Sequence, residues 1–418
     1  MFKSPFLKRL NIFILYTIYC FDIAAIVIVF IIFTPLIIKS TSLFVPEAMT
    51  LPTRNVVLGL LFAAYPITQF FGAPLLGDLS DHFGRKLILN ISTLFTAFTF
   101  FLTAVAILKH NLPLIFISRI LGGFFAGNAS LAQASVSDQI ESKKRSTYMA
   151  LFTVVGGFAW IIGPFIGAVL SNPNIVSWFN FDVPFWFLGL TFLISWGIVL
   201  ISMQSDRPDS QTEKLSFIQS FKNLASIFHQ RIIVLAFIAS GLAMLGWMIL
   251  NSFTAPYLME KYHYHEHTIG YVYAYYSVFW LLGGLFAMLW FKKHRSAKLN
   301  LYCLFVIPFF MILFVFIDHP YAVLWITPIP TLLMPISVAS FMSLFSHLVS
   351  KKMQGKIFGG YTGMLALATT IAPAFSGWVS KYGLNIPFVF CSLILFITFL
   401  TYLVWYLKYK KEIEALKI

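Results

Sequence analysis

Residues 77–86 read GDLSDHFGRK: two aspartates, a histidine, an arginine, a lysine and two glycines in ten positions. On either side the chain is apolar, FFGAPLL before and LILNIST after. Hydrophobic residues make up 59% of the 418 and charged ones only 11%, against roughly 45–50% apolar in a soluble domain. A polar sentence in such a chain marks a place where it leaves an apolar solvent. Flanking runs of about 20 apolar residues identify that solvent as a bilayer.

Such runs recur twelve times, at about 10–38, 54–77, 87–108, 113–136, 147–171, 184–204, 231–258, 268–291, 298–317, 321–346, 357–380 and 384–407. The expected fold class is therefore an all-α integral membrane protein with twelve transmembrane helices. The basic start MFKSPFLKRL runs straight into the first span, which is too long for a signal-peptide core and has no small-residue cleavage site. With the N-terminus in the cytoplasm, 23 of the 29 Lys and Arg fall on the inner side. That asymmetry is the positive-inside rule, and it places both termini in the cytoplasm. The net charge of +14 is thus a topology signal, helped by anionic lipid, and not a nucleic-acid footprint. Cys20, Cys303 and Cys391 lie inside apolar runs without ligand spacing and read as small core hydrophobes.

The longest polar stretch, QSDRPDSQTEK at 204–214, divides the chain. Six spans lie on each side, giving an N-terminal bundle at 1–204, a cytoplasmic linker at 205–230 and a C-terminal bundle with a short tail at 231–418. In the linker, Leu215, Ile218, Leu224, Ile227 and Phe228 can share one face of an interfacial helix. The halves echo one another. SKKRSTYMALFTVVGGFAWIIGPFIGAVLS begins at Ser142 and SKKMQGKIFGGYTGMLALATTIAPAFSGWVS at Ser350. Both carry a small residue and proline late in the helix, Gly163-Pro164 and Ala372-Pro373. Internal repeats of this kind build many secondary transporters, with the site at the interface of the repeats.

In the loop between spans 2 and 3, Gly77 is expected to allow close helix approach and Asp81 to cap span 3 or pair with basic side chains. Gly84 permits the tight reversal, and Arg85 and Lys86 hold the turn on the cytoplasmic side. A merely charged loop explains Arg85 and Lys86 but not two aspartates and two glycines at these spacings.

G-x-L-x-D-x-x-G-R-K, Gly77 to Lys86, resembles the loop signature of the major facilitator superfamily, with His82 where the family often has Arg and Ser80 where it often has Ala. Arg119-Ile-Leu-Gly-Gly123 is similar to the family's R-x-x-x-G, Asp138 followed by Arg145 to its acidic and basic residues around loop 4–5, and Gly163-Pro164-Phe-Ile-Gly167 to the G-P-x-x-G of proton-driven drug antiporters. The resemblance, which extends over nearly all the chain, is to the drug:H+ antiporter branch that includes tetracycline exporters. It implies two pseudo-symmetric six-helix bundles and alternating access between them. It also implies a cytoplasmic gate of Gly77, Asp81, Gly84, Arg85, Lys86, Asp138 and Arg145 against the start of span 11, near Lys356 to Gly360. The matching loop of the second half, FKKHRSAK from Phe291, has no aspartate, so the gate is one-sided.

Away from the ends of the predicted spans two side chains are charged, Asp22 and Arg119. Asp22 is twelve residues into span 1, about 18 Å from its inner end and near the midplane. An ionised residue there costs roughly 2.5–3.5 kcal/mol or more, so Asp22 reads as a proton or cation site in preference to a buried structural aspartate. Arg119 differs in depth by only about 7 Å, and the two read as a switchable proton-coupling pair. Gln69, Asn128, Gln133 and Asn251 can line a pathway or glue helices together. Tyr276 and Trp280, deep in GYVYAYYSVFW, can line a cavity. His263, His265 and His267 are spaced to meet a metal, but a short exposed loop explains them better, and no metal site is expected.

The expectation is a secondary transporter driven by the proton gradient, without a cofactor. It exports a small organic compound in exchange for protons, as a monomer in the bacterial inner membrane. The nearest rival is proton-coupled uptake of a nutrient or a metal-chelating siderophore. A membrane sensor lacks an output module, and an enzyme lacks paired core acids, a nucleophile motif or a phosphate loop.

Overall fold

The computed structural model describes residues 5–39, 41–203, 231–290, 296–348 and 351–415. The linker with its expected interfacial helix lies outside them. Within them twelve helical segments are long and apolar enough to cross a membrane. They are built from α1 (Pro5–Ile38), α2 (Leu51–Phe83), α3 (Arg85–Leu108), α4 (Leu112–Phe124), α5 (Asn128–Gln139), α6 (Ser142–Leu170), α7 (Val183–Ser202), α8 (Arg231–Tyr262), α9 (Glu266–Trp290), α10 (Ser296–Phe316), α11 (Ala322–Ile326), α12 (Pro328–Leu348), α13 (Lys351–Val379) and α14 (Ile386–Lys408), followed by a short α15 (Lys410–Ala415).

Three departures from the expected spans bear on function. First, α2 does not stop at residue 77 but continues to Phe83. The stretch read as a loop is thus the last two turns of a helix, broken only at Gly84. Second, the fourth span is two helices, α4 and α5, separated at residues 125–127. The cause is close packing of small residues. A Cβ on Gly123 would lie 2.1 Å from the Tyr65 carbonyl oxygen, and one on Gly72 2.0 Å from that of Phe124, so α2 and the end of α4 meet backbone to backbone. Ser92 donates to the freed Phe125 carbonyl at 2.8 Å and Gln69 Nε2 to that of Ala126 at 3.3 Å. These bonds replace the helical ones that the break forfeits. Third, the tenth span is interrupted at Thr327-Pro328, where α11 ends and α12 begins, because proline supplies no N–H to continue a helix.

The chain forms two compact units, one of residues 1–49, 64–217 and 265–274, the other of 50–63, 218–264 and 275–418. α2 and α9 therefore each divide their length between units. In the first unit α1 packs on α5, α6 and α7, and α3 on α4, α5 and α7. Phe33 stacks on Phe185, with centroids 5.6 Å apart. In the second, α8 packs on α12, α13 and α14, and α10 on α12 and α14, around an aromatic cluster of Tyr257, Phe314 and Phe388. Among the described residues eight prolines stand inside helices, including Pro74, Pro164, Pro308 and Pro373. At Pro308 a bond also crosses between helices, Ser392 Oγ of α14 donating to the Pro308 carbonyl of α10 at 2.9 Å.

Candidate functional site

Gly84 has φ 96°, a conformation that side-chain-bearing residues rarely adopt. Its N–H still bonds the Ser80 carbonyl at 3.1 Å, so α2 closes normally and α3 starts at once with Arg85. The Arg85 guanidinium then reaches three groups. Nη2 lies 2.6 Å from Asp81 Oδ1, Nε lies 3.2 Å from Asp138 Oδ2, and Nη1 donates to Ser80 Oγ. One planar fork thus ties the ends of α2, α3 and α5 together, which a lysine ammonium has no geometry to do. The Asp81 and Asp138 side chains are 49% and 58% exposed. Ion pairs in such surroundings contribute on the order of 0–1 kcal/mol each, so this cluster can break at small cost.

Two details correct the expectations for the motif. Asp81 does not cap α3, whose N-cap is Gly84 without a side-chain bond; its carboxylate is taken by Arg85. Gly77 is not a close-approach site, since a Cβ there meets nothing within 4 Å. Lys86 is half-buried, and its carbonyl accepts from Asn90 Nδ2 at 2.7 Å. Arg145 lies in the first turn of α6; its side chain and that of Lys356 lie outside the described residues.

The buried part of the site follows from the break in the fourth span. α5 starts at Asn128, and the first turn of a helix carries N–H groups without helical partners. Asp22, 3% exposed on α1, occupies this position, with the Asn128 side chain and the Ala129 backbone N–H bonded to its carboxylate. A negative charge is favourable at a helix N-terminus for the same reason that anions bind there. Asn128 is itself fixed from α3: its Nδ2 donates to Thr96 Oγ1 at 2.8 Å, and its Oδ1 lies 2.6 Å from Ser92 Oγ, whose single proton it shares with the Phe125 carbonyl.

Arg119 is 4% exposed but is not paired with Asp22. Among the described residues no ion pair joins them, because the aspartate's acceptors are taken by the start of α5. The guanidinium instead lies over the Tyr65 ring, 4.4 Å from its centroid, and its Nε has no hydrogen-bond partner among the described residues. Tyr65 interacts electrostatically with both Asp22 and Arg119. The expected direct pair is a three-membered arrangement. Protonating Asp22 therefore requires no ion pair to be broken.

The glycine motif of α6 explains why α1 is held so closely. A Cβ on Gly163 would lie 2.7 Å from the carbonyl oxygen of Ala24, two residues after Asp22. Gly167 faces Ile28 and Ile31 at an ordinary 3.7 Å. On the other side, a Cβ on Gly270 of α9 would lie 3.1 Å from the Pro164 carbonyl oxygen. The structure thus gathers Asp22, Arg119, Asn128 and the α6 motif around one stretch of α1.

The remaining candidates fall into two groups. In the first unit, Gln69 bonds the α4–α5 break and Gln133 bonds Tyr19. In the second unit, Asn251 Nδ2 donates to the Trp247 carbonyl of its own helix at 2.9 Å, and Trp247 packs on Trp280 with centroids 5.1 Å apart. Tyr276, 5% exposed, is buried on α9. His265 and His267 stack with centroids 5.5 Å apart. No group of three or more His, Cys, Asp or Glu suited to a metal occurs among the described residues.

Sequence reasoning missed Tyr65, which reads as ordinary span packing until its ring is found under Arg119. It also missed Glu260, two residues beyond the expected end of its span but inside the observed one, Ile232–Tyr262.

Twelve apolar helices with a charged, interhelical cluster at one helix end and a buried carboxylate among them make this a polytopic integral membrane protein. The family model of the Major Facilitator Superfamily matches residues 12–359 and again 238–417, and the chain belongs to that superfamily. It is 35% identical over 114 residues to a tetracycline resistance protein, class H, of Pasteurella multocida, covering 27% of this chain and 28% of that one. It is 28% identical over 244 residues to the quinolone resistance protein NorA of Staphylococcus aureus, covering 56% and 57%. The aligned stretches thus span about a quarter to just over half of these relatives. The crystal structure of the human organic anion transporter MFSD10 (TETRAN) superposes with a TM-score of 0.67 over 96% of this chain and all of that one, at 16% identity. The shared fold is that of the superfamily.

Proposed function

We propose that this protein is a secondary active transporter that exports a small organic compound from the cytoplasm in exchange for protons. The observation that carries the reading is Asp22. It is a buried carboxylate on α1, held by neutral donors at the start of α5, so it can take and release a proton without breaking an ion pair. A buried ionisable group in a membrane span is a functional site by default. Two relatives are named for resistance to tetracycline and to quinolones, which supports export of a compound of that kind.

The two six-helix halves, 1–204 and 231–418, rock about the site in this reading, and the Arg85 cluster is the gate that opens and closes on one side. In this reading the protein acts as a monomer in a bacterial inner membrane with both termini on the cytoplasmic side, an orientation that the positive-inside charge supports. A second reading, uptake of an anionic nutrient or siderophore with protons, draws on Arg119, whose buried guanidinium has no acidic partner among the described residues.

Reconstituted vesicles with an imposed pH gradient separate the two. Tetracycline, a quinolone, a siderophore and simple organic acids are added in turn and proton flux is recorded. Proton movement opposite to the compound, lost in Asp22→Asn, is the expected result. Movement in the same direction establishes the uptake reading, and unchanged flux in Asp22→Asn places the proton site elsewhere.

A further inference from the structure

We propose that Glu260 on α8, with Asn55 on α2, is a second proton-binding site, separate from Asp22; that it works in the transport cycle rests on the antiport reading above. Both carboxylate oxygens of Glu260 are buried and make no hydrogen bond of normal geometry among the described residues. The polar side chain that reaches them is Asn55, whose own Oδ1 is likewise buried without a donor. Both residues lie in the second unit.

Among the described residues no cation forms an ion pair with this carboxylate. On α2, Arg54 is buried beside Asn55, but the Glu260 oxygens accept no hydrogen bond from it among the described residues. On α8, Lys261 is engaged with Asp318 at 3.0 Å and with the hydroxyl of Tyr257, also at 3.0 Å. α13 brings no titratable side chain along Thr370–Val379, and Lys381 beyond it lies over the rings of Trp378 and Tyr382. α14 carries none before Cys391. An isolated buried carboxylate takes up a proton rather than remain charged.

One proton satisfies both residues. A protonated Glu260 donates to Asn55 Oδ1, and when the proton leaves, the amide turns over so that its Nδ2 donates to the carboxylate. The pair can therefore hold either protonation state. Asn55 also lines a cavity of about 10 Å³ with Ser252, Pro256, Gly59 and Gly377, close to the room that one water needs. Close backbone contacts flank it. A Cβ on Gly377 would lie 2.3 Å from the Asn55 carbonyl oxygen, and one on Gly59 2.3 Å from that of Pro373. On the orientation proposed above, Glu260 lies toward the outer face, so it is loaded from outside water.

The test is infrared difference spectroscopy of the full chain in proteoliposomes as the pH is stepped. The expected result is a carboxylic-acid carbonyl band that titrates, disappears in Glu260→Gln and persists in Asp22→Asn. A Glu260→Gln spectrum identical to wild type overturns the proposal. Should that variant fail to insert, Asn55→Leu keeps the carboxyl group and removes its partner, and its band is expected to shift to higher frequency; an unmoved band overturns the proposal. If no compound of the transport panel moves protons but the Glu260 band is present, the antiport reading falls and the proton site stands. If protons move but the band is absent, the reverse holds.

Discussion

The guanidinium of Arg119 lies 4.4 Å from the centroid of the Tyr65 ring, and among the described residues no ion pair joins it to Asp22. The ring face carries partial negative charge and holds a desolvated cation by roughly 0.5–2 kcal/mol. Tyr65→Phe keeps that face and is expected to keep pH-driven transport within a few-fold of wild type. Tyr65→Leu removes it and is expected to lower transport by about tenfold, the equivalent of about 1.4 kcal/mol. Equal transport by the two variants would show that the ring only fills space.

Gly163 and Gly167 make a matched pair of substitutions. Gly163→Ala drives a methyl group to within 2.7 Å of the α1 backbone, whereas Gly167→Ala meets only side chains at 3.7 Å. Overpacking of the first kind costs typically 1–3 kcal/mol. The expected outcome is a lowered melting temperature and lost transport for Gly163→Ala, with Gly167→Ala close to wild type. Thermal melts in detergent decide it, and equal melts would remove the close approach from the account.

At the motif, Asp81→Asn removes one of the two carboxylates on Arg85. Because these pairs are exposed and individually weak, insertion and stability are expected to hold while turnover slows. Normal turnover would dispose of the gate. Arg85→Lys, which cannot serve Asp81, Asp138 and Ser80 together, is expected to be slower still.

Asp318, in the connection before α11, is held below the usual carboxylate range by hydrogen bonds from Lys261 and Tyr262. A depressed value means that its contribution is full above the ordinary carboxylate value, roughly 3.9, and is lost as pH falls through the lower folded value. Asp318→Asn is therefore expected to melt earlier than wild type at neutral pH, with the difference closing as the solution is acidified. A difference independent of pH would exclude the carboxylate's charge as its origin.

Helix number and membrane class were legible because hydropathy is a local sum over about 20 residues, needing no knowledge of neighbours. Asp22 was legible for the same reason: a charge is conspicuous in the middle of a 33-residue span with a mean hydropathy of 2.8. Helix ends were not. α2 passes through Asp78 and Asp81 to Phe83, since aspartates at a helix end find water and Arg85 there. The break at 125–127 was hidden, because Gly122, Gly123 and Gly127 in a span read as packing until α2 is seen pressed onto Gly123.

The sequence by itself determined that the chain spans a bilayer twelve times, which residues are charged within the spans, and the resemblance to the superfamily. Each of these depends on residue type and spacing along one strand of chain. Only the tertiary structure decided the partners. It set Asn128 and Ala129 on Asp22, Tyr65 under Arg119, Arg85 between Asp81 and Asp138, and Asn55 beside Glu260. Partnership is a matter of distance between helices far apart in sequence, and backbone contact at single glycines sets that distance.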